Sequence, residues 1–229
     1  MRSEREKHSR ALSQARAVSE YIKFTCESRG CGTEITSFDG FAELNAYRRK
    51  LLQLRLIGVD SNGIGFGNLS LRDGTTNNFC ITGSGTGGMP ELTVADCARV
   101  VAYNFKRNWL RYEGSAIPSS ESLTHAAVYE SDAKAGAVIH CHDSKLWAAL
   151  LNQAPTSSKS VDYGTPDMAY EVMRLFKLAD LQSRKILVMA GHEGGIVAFG
   201  RDLAEAFSVL MREWKKRSQR ALSRAQRTG

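Results

Sequence analysis

Apolar residues change their spacing from stretch to stretch along this chain, and the spacing predicts the elements. Residues from about Arg5 to Phe24 read as a basic amphipathic helix, followed by a break from Gly30 to Gly40. From Phe41 to Ile57, apolar Phe41, Leu44, Leu51, Leu52, Leu54 and Ile57 recur at mixed helical spacing, which reads as a second helix. The period then shortens. After the glycine-rich stretch Gly63 to Gly67, the segment Asn68-Leu69-Ser70-Leu71-Arg72 alternates as a strand does, Asp73-Gly74 marks a turn, and Phe79-Cys80-Ile81-Thr82 returns, predicting a hairpin. A second strand pair fits the span from Arg99 to Tyr112.

Pro118-Ser119-Ser120-Glu121 opens a helix expected to reach Glu130, with Ser119 or Ser120 as the cap and an early acid suited to the helix dipole. The apolar run Ala137-Val138-Ile139 begins a strand ending in His140-Cys141-His142, and a helix follows from Ser144 to Leu151. Thr165-Pro166-Asp167 starts another helix, running to Leu178, with proline in the first turn where its missing N–H costs nothing. Ile186 to Ala190 reads as a strand, and a long helix begins at Asp202. Helices and strands intermix, several hairpins are local, and no repeat or low-complexity linker divides the chain. The expectation is a single α/β domain on a mixed or mostly antiparallel sheet.

Composition narrows the class. The chain has 229 residues, of which 42% are hydrophobic, enough for one domain with a sizeable core. No uninterrupted apolar run approaches the roughly 20 residues that span a bilayer. The first residues are followed by no apolar core of a secretory signal, and Glu4, Glu6 and Glu20 argue against a transit peptide, so cytoplasm is the expected location and no membrane partner is expected. The net charge is +7, concentrated toward the two ends, for example at Arg2, Arg5, Lys7, Arg10 and Arg16, then Lys215, Lys216 and Arg217. Without interleaved aromatics or a nucleic-acid motif, such ends read as solvated helix faces; no nucleic-acid partner is expected, while an anionic small substrate suits the charge. Five cysteines without a CxxC pair predict no disulfide framework, and Cys141, between two histidines, reads as a buried small hydrophobe.

The candidate chemistry lies in the histidines. Residues two apart on a strand share a face, so His140 and His142 can reach one cation. His192 follows the apolar run from Ile186 and sits in Gly191-His192-Glu193-Gly194-Gly195. Three imidazoles suit a borderline-soft divalent metal and leave a coordination position open to substrate; the competing reading is a set of satisfied histidines on a sheet face. Glu121 is either a fourth ligand, a general base, or simply a carboxylate balancing its helix dipole. His125, four residues on along that helix, reads as core. Gly67-Asn68, Thr82-Gly83-Ser84-Gly85 and Ser119-Ser120 combine close backbone approach with hydroxyls, a chemistry that complements phosphate, although ordinary turns look the same. None forms a nucleotide-binding fingerprint, so neither ATP nor NAD is expected.

Taken in order, Gly-Asn-Leu-Ser-Leu-Arg at 67–72, Ile-Thr-Gly-Ser-Gly at 81–85, Pro-Ser-Ser-Glu at 118–121, His-Cys-His at 140–142 and Gly-His-Glu-Gly at 191–194 resemble the motifs of the class II aldolase/adducin family. The resemblance covers roughly residues 40 to 212. It implies a three-layer α/β/α sandwich, commonly a homotetramer, divided here into an N-terminal helical extension at 1–36, the family-like domain at 37–215 and a basic tail at 216–229. It further implies zinc, or another divalent transition metal, on His140, His142 and His192, with Glu121 both ligating the resting metal and moving the proton. Gly67, Asn68, Ser84, Gly85, Ser119 and Ser120 would cradle a substrate phosphate.

The implied reaction is retro-aldol cleavage of a phosphorylated sugar through a zinc-stabilised enediolate. Family epimerases usually carry Asp where this chain has Glu121, which favours a lyase. Dehydratase or decarboxylase chemistry on a sugar phosphate, and a non-catalytic adducin-like interaction domain, are the alternatives the resemblance also admits. The stretch from Asn152 to Gly164 is shorter than in the family, where it carries a tyrosine on the aldehyde side. Tyr163 does not match that tyrosine residue for residue, and its role is not carried over.

Overall fold

The Asp73-Gly74 turn closes the hairpin that its sequence predicts. Gly74 takes φ +59, a left-handed conformation, and Asp73 N–H donates to Asn78 O at 2.8 Å. In this computed structural model, which describes residues 22–28 and 35–225 (side chains to 219), that hairpin is the middle of an eight-stranded sheet. In chain order the elements are β1 (Thr25–Ser28), α1 (Phe41–Gln53), β2 (Gly58–Val59), β3 (Gly65–Phe66), β4 (Asn68–Arg72), β5 (Phe79–Thr82), β6 (Cys97–Asn104) and β7 (Trp109–Glu113). Then come α2 (Ser122–Ser131), β8 (Ala137–His142), α3 (Ser144–Leu150), α4 (Pro166–Leu178), α5 (Leu181–Arg184), β9 (Ile186–Val188), β10 (Gly195–Gly200) and α6 (Leu203–Ala225). The sheet order is β1-β7-β6-β5-β4-β8-β10-β9, and every pair is antiparallel except β1 with β7. β2 and β3 pair separately.

The alternation of the strands decides the layers. Phe79, Ile81, Val138, Val197 and Phe199 point to one face, where α2 and α4 cover them with Leu123, Ala127, Met168, Ala169 and Val172. Ala137, Ile139, Cys141, Ile196 and Ala198 point to the other, where α1, α3 and α6 contribute Leu44, Leu51, Leu146, Leu203 and Leu210. The result is the expected three-layer α/β/α arrangement in one domain, with a mixed, mostly antiparallel sheet sealed on both faces.

Several element boundaries differ from the sequence reading. The helix expected to reach Ile57 ends at Gln53, because Arg55 turns left-handed at φ +58 and Leu56 N–H returns to Leu51 O at 2.9 Å. That closure turns Leu56 and Ile57 into the core, where both are buried. The helix expected to open at Pro118 begins only at Ser122, and the cap position falls on Glu121 rather than on Ser119 or Ser120. Most of the helix expected from Arg5 lies outside the described residues. Its last three positions, 22–24, are not helical and lead into β1, an edge strand the sequence did not predict. The final helix runs to Ala225, so residues 216–225, expected as a basic tail, continue it. Arg217 in that stretch ties α6 to the start of α3, its Nη1 lying 3.0 Å from Asp143 Oδ1, while Asp143 also caps α3 by accepting from Leu146 N–H at 2.7 Å.

Candidate metal centre and substrate cleft

β8 carries both sheet histidines on the face shared with Val138, the α2 and α4 side, and turns Cys141 into the opposite core. β8 lies between β4 and β10, so its backbone is held from both sides: His140 faces Asn68 on one and Val197 on the other, and His142 faces Gly195. The third histidine arrives from the turn between β9 and β10. Met189 N–H donates to Gly195 O at 3.0 Å and His192 N–H to Met189 O at 3.1 Å, closing a tight loop that lifts His192 over β8. Gly195 is needed there, since a Cβ at that position would stand 2.6 Å from His192 Cδ2.

The three imidazoles converge. One ligand atom from each lies within 4.8 Å of the other two, and the Nε2 atoms of His140 and His142 are 3.1 Å apart. His140 Nδ1 lies 3.2 Å from Ile196 O. A carbonyl only accepts, so Nδ1 carries the proton and Nε2 keeps its lone pair facing the cluster, as a metal-ligating imidazole requires. Burial holds His142 down at about 4 and His192 at about 3, and holds His140 well below the usual imidazole value. At neutral pH all three are therefore uncharged donors.

Glu121 ends the approach to α2 and is buried, 2% exposed. Thr124 Oγ1 donates to its Oε2 at 2.7 Å, while Oε1 has no hydrogen-bond partner among the described residues. Burial pushes this carboxyl up to about 7, against smaller downward pulls from Thr124 and Lys23. Glu121 lines the same cavity as the imidazoles, but only His140, His142 and His192 bring their ligand atoms within 4.8 Å of one another; the carboxylate stands outside that cluster.

The anion-binding candidates meet the histidines in one cavity of about 820 Å³. Gly67, Asn68, Ser84, Gly85, Ser119, Ser120, Glu121, His140, His142 and His192 all line it. The turns come together because Gly83 bridges to Pro118 and Ser84 N–H donates to Ile117 O at 2.9 Å. Gly67 has φ +80, and a Cβ there would meet Ile57 Cγ2 at 2.4 Å, so the turn into β4 requires glycine. His125 stays out of the cavity wall. Its Nδ1 lies 2.7 Å from Ser70 Oγ, which is 2.7 Å from Tyr129 OH, and burial lowers it to about 3, in keeping with the core reading.

The sequence reading missed one wall of the cleft, Phe66, and gave another, Tyr163, no role. Phe66, which lies among glycines beside Asn68, packs its ring 5.3 Å from that of His142; a lone aromatic in a glycine stretch was the available signal. Tyr163 also lines the cavity and stacks on His192 with centroids 4.2 Å apart, while Lys23 places its Nζ 3.8 Å over the tyrosine ring. Lys23 is too distant in sequence for any local pattern to have linked it to His192.

A family model described as the class II aldolase and adducin N-terminal domain matches residues 55–212. Among solved structures, an L-fuculose 1-phosphate aldolase aligns with a TM-score of 0.62 at 23% identity, covering 86% of this chain and 91% of that one. The L-fuculose-1-phosphate aldolase of Thermus thermophilus aligns with a TM-score of 0.55 at 21% identity, covering 82% and 95%. YgbL of Escherichia coli, whose description spans aldolase, epimerase and decarboxylase, aligns with a TM-score of 0.58 at 18% identity, covering 78% and 86%. These likenesses show the fold. No match was found among curated proteins by sequence.

Proposed function

The chain belongs to the class II aldolase and adducin family, and from that premise we propose that it is a zinc-dependent lyase cleaving a carbon–carbon bond of a phosphorylated sugar by retro-aldol chemistry. The observation that carries the reading is the convergence of three neutral imidazoles, within 4.8 Å, on a cavity that Glu121 and the Ser84 and Ser119 turns also line. His140, His142 and His192 would hold the ion, with Glu121 beside them. Bound there, a divalent cation supplies Lewis-acid stabilisation of the negative charge that builds on substrate oxygen as the bond breaks.

The protein's own groups do the rest. Asn68, Ser84 and Ser119, with the backbone at Gly67 and Gly85 and the Ser120 hydroxyl, bind the phosphate and fix which carbons lie beside Glu121. Glu121 carries the proton: Thr124 anchors Oε2, and Oε1 is the atom left to take and return it. Before a cation is bound, burial holds this carboxyl near 7; a cation nearby favours the ionised form, the one that accepts a proton. Phe66 and Tyr163 wall the cleft and limit water around the reacting carbons.

The family resemblance extends the reading to a homotetramer in the cytoplasm. Described residues contain no helix long and apolar enough to cross a membrane. The full set of candidate ligands weighs against an adducin-like, non-catalytic role. Incubation of the zinc-loaded protein with a panel of phosphorylated ketoses and sugar acids tests the proposal. The expected result is an aldehyde and a shorter phosphorylated ketone, lost on chelation and in His142→Ala. Products that all retain the substrate's carbon skeleton would refute it in favour of a dehydratase; release of carbon dioxide would point to a decarboxylase.

A further inference from the structure

Arg48 is among the largest fully buried side chains in the protein, 2% exposed on the inner face of α1. Its Nη2 donates to Thr86 O at 2.7 Å and to Met89 O at 3.2 Å. Its Nη1 is buried with no hydrogen-bond partner among the described residues. Among the described residues no carboxylate forms an ion pair with it, and the acids whose field reaches it are engaged elsewhere. Asp96 Oδ2 accepts from Thr93 N–H and Oγ1, both at 2.7 Å, and Glu91 pairs with Arg49 at 2.9 Å. Burial lowers the guanidinium from its usual value, but arginine stays charged in proteins. Taking a charge out of water is costly, and two backbone carbonyls meet only part of that cost here.

The place of this charge says what meets the rest. Thr86 and Met89 line the cavity, in the same turn as Ser84 and Gly85. Arg48 thus grips that turn from behind while its front faces the cleft. Asn45, one helical turn earlier on the same face of α1, clamps the next residues: its Nδ2 donates to Leu92 O at 2.8 Å, and its Oδ1 accepts from Leu92 N–H at 3.1 Å. Arg49 reaches the same loop, but its charge is met there by Glu91; of the three side chains of α1 that hold the loop, only Arg48 brings a charge without a carboxylate partner among the described residues.

We propose that Arg48 is a positioning residue whose buried charge is completed by the anionic group of the substrate, held on the opposite side of the Ser84-Gly85-Thr86 turn. This rests on the phosphate reading of the cleft and adds an electrostatic determinant from outside the wall. In a water-poor setting the attraction acts across one layer of peptide with little screening. A phosphate, close to a dianion at neutral pH, is the anion favoured most.

Calorimetric titration of the metal-loaded protein with inorganic phosphate, at constant ionic strength, tests this in four proteins. Arg48→Gln keeps a donor for the loop carbonyls and removes the charge; Arg48→Lys keeps the charge; Asn45→Ala loosens the second clamp alone. Expected are phosphate binding by the parent, a loss of about tenfold or more in Arg48→Gln, and changes within about threefold in Arg48→Lys and Asn45→Ala. Unchanged affinity in Arg48→Gln, or an equal loss in Asn45→Ala, would overturn the electrostatic role and leave a loop clamp. Should Arg48→Gln not fold, Arg48→Lys decides: parent-like affinity supports the role, a tenfold loss overturns it. A parent that binds no phosphate would instead remove the phosphate reading itself, before any variant is compared.

Discussion

Asn68 stands directly across the sheet from His140, its partner in the antiparallel pairing of β4 with β8. One register therefore sets the distance between a proposed phosphate contact and a proposed metal ligand. The backbone ladder holds this relationship, so changing the Asn68 side chain leaves the histidine where it is. Asn68→Ala is expected to keep stoichiometric zinc and to raise KM for the phosphorylated substrate about tenfold, with a smaller change in kcat. Elemental analysis beside steady-state kinetics checks this; loss of the metal in Asn68→Ala would show that the two functions are not separable.

Glu121 makes metal uptake depend on pH in a defined direction. Near pH 6 the free protein holds this carboxyl protonated, since its pKa lies at about 7, while His142 and His192, at about 4 and about 3, are already neutral. A cation arriving beside Glu121 favours the ionised form, so close to one proton should be released per ion at pH 6 and close to none at pH 8. Calorimetry in buffers of different ionisation enthalpy counts the protons. Glu121→Gln should abolish the release at pH 6; if it persists, another group carries it.

The turn bearing His192 depends on a residue with no side chain. Gly195→Ala places a methyl 2.6 Å from His192 Cδ2 and 2.9 Å from His192 O. The β9–β10 pairing resists movement of the backbone, so the imidazole is what must shift. Zinc affinity is expected to fall by about 10- to 100-fold, the range seen when a ligand's support is lost. Competition with a metallochromic chelator measures it, with circular dichroism confirming that the sheet survives.

Arg72, at the end of β4, is the main support for the C-terminus of α2. Its Nη2 donates to Tyr129 O at 2.8 Å and Asp132 O at 2.7 Å, and its Nε to Ala135 O at 2.6 Å. Charge-assisted bonds to the last carbonyls of a helix also suit its dipole. Arg72→Ala should destabilise the protein by about 2–4 kcal/mol, read from urea unfolding at unchanged m-value.

His125 gives the protein an acid limit. Its folded-state pKa of about 3 lies below the unfolded value, so the unfolded chain binds the extra proton and stability falls as pH drops below about 6.5 toward 3. Above that window both states are neutral and the effect vanishes. His125→Gln, with less stability at pH 7, should show a shallower acid limb, by up to about 1.4 kcal/mol per pH unit. Equal slopes for parent and variant would mean that His125 is protonated in the fold.

What neighbours along the chain could say, the sequence determined. Period-two alternation put His140 and His142 on one face and Cys141 on the other; Asp73-Gly74 specified its turn; Thr165-Pro166 opened its helix; and the ordered motifs pointed to the family. Each of these is encoded within a few residues, where dihedral preference and side-chain period act directly. Only the tertiary structure decided what depends on distant partners. The β9–β10 turn carried His192 to β8, burial raised Glu121, the β1–β7 pairing brought Lys23 to Tyr163, and α1 set Arg48 behind the Ser84 turn. Burial and cross-strand register are properties of pairs far apart in sequence, and a charge such as that of Arg48 acquires its meaning only once the fold has removed the water around it.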